Sequence, residues 1–155
     1  MRRRAERMLQ ALALPAAELS VVLCDDRAIH ALNRDHRKHD KPTDVLAFAL
    51  REGKTLPGAE DLLGDVVISL DTAGRQAKQH KHDLWTEVTV LLAHGLLHLV
   101  GYDHRTDAEE RRMNARADML VAATSARRPQ IPRRTVDKGG KTVDSRARKR
   151  ARTGS

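Results

Sequence analysis

The 155-residue chain is long enough for one domain with a core of its own, and with Phe48, Trp85 and Tyr102 as its aromatic residues that core has to be aliphatic. Cys24 is alone, which excludes a disulfide framework within the chain and suits a reducing compartment. The formal net charge is +8, but residues 126–155 hold 11 Lys/Arg against 2 Asp/Glu, a net of +9, which leaves residues 1–125 at −1; the basic excess therefore says little about the surface of the folded part.

Arg2–Arg4 followed by Met8–Ala17 loosely imitates a secretory leader. Glu6, Arg7 and Gln10 interrupt it, and Ala5, Met8, Leu9 and Leu12 fit one face of an amphipathic helix over residues 2–13, ended by Pro15. The chain is expected to be cytoplasmic. Ser20–Cys24 reads as a buried strand, and Asp25 or Asp26 can cap a helix that buries Ile29 and Leu32. A polar stretch from Asn33 to Lys41 ends at Pro42, and Val45–Leu50 is a second strand. Glu52–Asp61, with Gly53, Pro57 and Gly58, reads as an exposed loop. Asp65–Ser69 is a third strand, and Asp71 can cap the helix after it.

Asp83–Val100 is the central helix. Its leucines and valines leave no fully polar face, so it should be buried. The apolar run Val88–Val100 is broken by Thr89, His94 and His98 and is too short to span a membrane. Thr106 and Glu109 form a capping box for a last helix, whose buried stripe is Met113, Ala117, Leu120 and Val121. From Ala126 onward periodicity and apolar content are lost. Residues 1–125 are expected to be the domain and 126–155 a disordered basic tail.

The chemistry concentrates in H-G-L-L-H-L-V-G-Y-D-H, residues 94–104. His94 and His98 lie one turn apart on one helix face. Gly101 can take positive φ, end the helix and let His104 swing back. Three neutral imidazoles on one point, with a fourth position open, make a catalytic form of zinc site. The metzincin proteases place three His and a Gly at the same offsets. Their general-base Glu is Gly95 here, which weighs against a metallopeptidase. A closed, structural zinc would need a fourth ligand. Cys24, Asp103, His80 and His82 are the candidates, none with convincing spacing.

A second polar constellation precedes these histidines: Asn33, Arg37, Asp40, then Pro42–Leu46 and Phe48. Taken alone, Arg37 and Asp40 would be a surface ion pair. With Leu63–Asp65, Ile68 and Ser69, and with His94–His104, the order resembles the YbeY family of bacterial endoribonucleases, the rRNA maturation factors. The resemblance covers roughly residues 18–122. His36 stands where the family usually has Tyr, Ala47 and Ala49 replace Ser and Pro, and the family's N-terminal strand and the tail have no counterpart.

The resemblance implies an α/β (α+β) fold, a small mixed sheet packed with helices and a zinc-bearing central helix. It implies one zinc per chain on His94, His98 and His104, with Arg37 as the essential arginine. It implies a single-strand endoribonuclease that acts in 16S rRNA 3′-end maturation and ribosome quality control. The partners would be ribosomal RNA, the small ribosomal subunit and ribosomal proteins. The rival within the same setting is a non-enzymatic, ribosome-associated zinc protein.

Overall fold

A computed structural model of the chain describes residues 1–50, 58 and 60–125. The expected tail and most of the expected 52–61 loop lie outside the described residues. The elements are α1 (Arg2–Ala11), β1 (Glu18–Cys24), α2 (Asp26–Arg37), β2 (Val45–Ala49), β3 (Leu62–Ser69), α3 (Leu70–His80), α4 (Leu84–Leu99) and α5 (Asp107–Ser125). The fold is mixed α+β: among the described residues, five helices surround one three-stranded sheet of order β1-β3-β2. β1 runs parallel to β3 and β2 antiparallel to it.

Strand alternation sorts the apolar residues between two faces of this sheet. Val66 and Ile68 of β3 turn toward α1, α4 and α5 and join the main core of Met8, Leu92, Leu96, Leu97 and Leu120. Val67 and Leu46 turn the other way and meet Ile29 of α2. The central helix is buried as expected, down to Glu87 and Thr89. Met113, Ala117 and Leu120 of α5 are buried, with Val121 at the margin of the core.

Three local expectations are corrected. β1 is not a buried strand: it is the sheet edge among the described residues, its burial alternates, and Val22 is 44% exposed. The run of apolar residues hid a strand covered on one face only. α1 stops at Ala11, ahead of Pro15. Ala13 takes φ 58°, its N–H bonds the Gln10 carbonyl, and the Leu14 N–H bonds the Leu9 carbonyl. This left-handed turn carries Leu14 onto the core, and that contact offsets the cost of positive φ at Ala. Asp71 is not the cap of α3. β3 runs straight into that helix, so Ser69 is the N-cap, its Oγ accepting from the Thr72 N–H at 3.3 Å. The Asp71 carboxylate accepts instead from the Asp26 N–H at 2.9 Å.

Candidate metal centre

The C-terminal end of α4 is built by its sequence to turn back. Val100 is the C-cap, and Gly101 follows at φ 98°. The Gly101 N–H bonds the His98 carbonyl at 3.1 Å and the Tyr102 N–H bonds the Leu97 carbonyl at 3.0 Å, the two bonds of a Schellman turn. The reversal brings the His104 ring to 5.1 Å from that of His98, edge to face.

The backbone also orients the imidazoles. His98 donates from Nδ1 to the Tyr102 carbonyl at 3.1 Å, and His94 donates from Nδ1 to the Val90 carbonyl at 2.9 Å. Each bond fixes the neutral ring as the tautomer whose Nε2 carries the lone pair, the form a metal needs. His94 Nε2 lies 3.3 Å from Oδ1 of Asn114, and with Nδ1 already donating to Val90 the lone pair on Nε2 is matched when the Asn114 amide is turned over to present its N–H. Burial, and next to it the neighbouring His104, hold the His98 pKa below its ordinary value, so the ring is neutral at neutral pH. His94, His98 and His104 line one cavity of about 380 Å³. The donor set is one a divalent metal takes, and the three histidines share one cavity, but their ligand atoms do not all lie within 4.8 Å of one another in this structure.

Gly95 sits between the first two histidines but faces the sheet. A Cβ there would lie 2.6 Å from Cγ1 of Val66 and 3.2 Å from Cγ2 of Val45. The position that holds a general base in metzincins is thus a close helix–sheet approach here, with no room for a carboxylate side chain. Of the residues considered as a fourth ligand, Asp103 accepts from the His104 N–H and pairs with Arg105. The Cys24 thiol donates to the Ile68 carbonyl beside the smaller cluster.

Arg37 is the last residue of α2, ended by Lys38 at φ 60°. Buried Asn33 anchors the loop after this helix, donating from its amide to the Lys41 carbonyl at 2.8 Å and accepting at its own carbonyl from the His39 N–H. The Arg37 guanidinium stands 5.5 Å from the Phe48 ring centroid and donates one N–H to the Ala47 carbonyl. The Arg37–Asp40 ion pair is not formed; Asp40 pairs with His30 at 2.7 Å. Arg37 instead lines a cleft of about 650 Å³ together with His98 and His104. Those two histidines also face the smaller cavity, so the two spaces meet at them.

A second group of donors was not foreseen as a group. His80, His82 and Glu87 bring their ligand atoms within 4.8 Å of one another, the metal-ligand cluster that stands out among the described residues. Its signal in the sequence was a Glu inside an otherwise apolar helix, just after H-K-H.

The profile of the family described as Endoribonuclease YbeY matches residues 1–125. The chain belongs to the YbeY family. A YbeY from Anaeromyxobacter sp. (strain Fw109-5) is 51% identical over 129 residues, covering 79% of this chain and 66% of that protein. A YbeY from Geobacter metallireducens is 45% identical over 124 residues, covering 79% and 83%. The solution structure of TM1509 from Thermotoga maritima is similar at a TM-score of 0.58 and 27% identity, covering 79% of this chain and 77% of that one. YbeY relatives carry the name of a nuclease, which is a hydrolase. No helix among the described residues is long and apolar enough to cross a membrane.

Proposed function

We propose that this YbeY chain is a metal-dependent endoribonuclease that cuts single-stranded RNA. His94, His98 and His104 hold one zinc ion, and Arg37 grips the scissile phosphate. The observation that carries this reading is the shared wall: Arg37 from the end of α2 and His98 and His104 from the end of α4 face one cleft. Zinc bound there supplies Lewis-acid charge to a phosphoryl oxygen and acidifies bound water.

The chain's own groups do the rest. The Arg37 side chain gives one N–H to Ala47 and rests near Phe48, and its remaining N–H groups suit two phosphate oxygens and the charge that develops on them. The Nδ1 bonds of His94 and His98 keep both rings from swinging away as the substrate enters. RNA brings its own nucleophile in the 2′-hydroxyl, so the absence of a Glu at position 95 is no obstacle. Three aromatic residues are too few for a broad base-stacking platform, so recognition rests on backbone charge and on ribosomal partners. The place of this cleavage is the 3′ end of 16S rRNA on the small ribosomal subunit in the cytoplasm, a reading supported by the family resemblance.

Incubating metal-loaded protein with ribosomal RNA precursor and mapping new ends tests the proposal. New ends that vanish in both His98→Ala and Arg37→Ala are expected. Unchanged cutting by either variant overturns the assignment of that residue. A preparation that binds zinc and ribosomal subunits but never cuts would favour the non-enzymatic reading.

A further inference from the structure

We infer that His80, His82 and Glu87 form a second metal site, separate from the three-histidine centre, selective for zinc-like divalent transition ions. The turn between α3 and α4 builds it. Lys81 takes φ 56° and the His82 N–H bonds the Ala77 carbonyl, which sets His80 and His82 on either side of one left-handed residue. Their rings meet edge to face at 5.5 Å, the same arrangement as His98 and His104 at 5.1 Å. Glu87, in the first turn of α4, reaches back to them.

The carboxylate is the telling member. Glu87 is 2% exposed, and a buried charge is costly unless paired. Among the described residues its ion-pair partners are the two imidazoles, with no Lys or Arg. Both nitrogens, Nδ1 of His80 and Nε2 of His82, converge on the same oxygen, Oε2, the first at 2.9 Å. A tetrahedral ion with bonds of 2.0–2.1 Å holds its ligand atoms about 3.3 Å apart, so an ion is admitted once the His80 contact opens by a few tenths of an ångström and the shorter His82 contact by roughly an ångström. His80 is more than half exposed at its side chain, which leaves an entry path. Two imidazoles and one carboxylate are the three protein ligands of one class of open zinc site, and the nitrogens disfavour magnesium and calcium. His80 and Glu87 also line the cavity of the three histidines. Glu87 and His94 are two turns apart on α4, so the two ions would sit about 10 Å apart along the helix, too far to share a ligand.

Zinc titration of full-length, metal-stripped protein tests this, with the fold of each variant followed by circular dichroism. Wild type should take up about two equivalents. His94→Ala/His98→Ala should keep one, and adding His80→Ala to that variant should weaken the remaining site roughly tenfold or more. His80 is used because Glu87→Gln alters a buried group that the fold itself needs. The inference fails if wild type takes up one equivalent that His80→Ala/His82→Ala retains, or if the equivalent left in the double variant survives His80→Ala. One equivalent lost in His80→Ala/His82→Ala but kept in His94→Ala/His98→Ala would leave this site standing and remove the three-histidine one.

Discussion

The carbonyl of Tyr102 accepts the Nδ1 proton of His98 at 3.1 Å, so the residue after the helix-ending glycine aims the ring before it. The link runs through Gly101, whose φ of 98° is costly for any residue with a Cβ although nothing lies within 4 Å of where that Cβ would be. Gly101→Ala should therefore cost about 1–2 kcal/mol through backbone strain alone. It should also weaken zinc binding at the three-histidine centre, because relaxing the turn moves the Tyr102 carbonyl. Thermal melts and zinc titrations on the same samples check this. A lower melting temperature with unchanged zinc affinity would separate the turn from the ring.

Gly95 is held by a different force. Gly→Ala inside a helix is worth up to about 1 kcal/mol in propensity. Here the new methyl meets Val66, fully buried and stiff at χ1, at 2.6 Å. Overpacking of this kind costs about 1–3 kcal/mol and should win. Gly95→Ala is expected to unfold at lower denaturant than wild type, and Gly95→Glu to fold poorly without gaining peptidase activity. A stabilised Gly95→Ala would mean that α4 can lift off the sheet.

Asp26 ties α2 to α3. It accepts from the Ser69 and Thr72 hydroxyls at 2.6 and 2.7 Å and pairs with Arg75 at 2.7 Å. Those hydrogen bonds, that from Ser69 first, hold its pKa at about 2, against 3.8 for an ordinary Asp. The folded state thus favours the carboxylate. Its stabilisation is complete above the unfolded pKa and fades as pH falls through the folded one. Asp26→Asn should be clearly less stable than wild type at neutral pH, with the gap closing between pH 3.8 and about 2. A gap that stays constant through that window would show that the loss is steric.

These residues differ in how legible they were. The helix-ending Gly101, the Asp25 cap and the Thr106–Glu109 capping box follow from local rules, and the bonds are present. His94 and His98 announced themselves by spacing, because helical periodicity converts sequence offsets into a shared face, and His104 by the glycine that turns the chain back. Edge exposure of β1 depends on strand order, which no stretch of seven residues encodes. Glu87 was passed over because a lone acid in an apolar helix means nothing until tertiary structure places His80 and His82 beside it. The purpose of Gly95 was likewise hidden: its reason is Val66, 29 residues upstream on another element.

The basic segment 126–155 carries net +9 beside a near-neutral domain. If it tethers RNA through phosphates, each contact on a single strand adds about −0.7 to the slope of log K against log salt. A truncation after Ser125 should bind RNA more weakly and with a shallower slope, while cutting at the same position. Titrations of catalytically dead full-length and truncated protein give both slopes. Coincident slopes would exclude the tether, and a moved cut would give the tail a part in specificity.

Arg37 offers the sharpest separation of chemistry from stability. Its side chain is exposed, ends its helix and makes one hydrogen bond to Ala47 and a ring contact with Phe48. Exposed groups of this kind contribute little to folding, so Arg37→Ala should melt within a few degrees of wild type and bind zinc normally. Its effect on cleavage should be far larger. Losing a charged donor aimed at a transition state typically costs ~100-fold or more in rate. Arg37→Lys restores the charge but not the planar fork, so it should recover only a small part of the loss. Single-turnover cleavage with saturating enzyme isolates the rate from RNA affinity. A Lys variant as fast as wild type would reduce Arg37 to a point charge. An Ala variant with a normal single-turnover rate and weak binding would place the arginine in docking rather than in the cut.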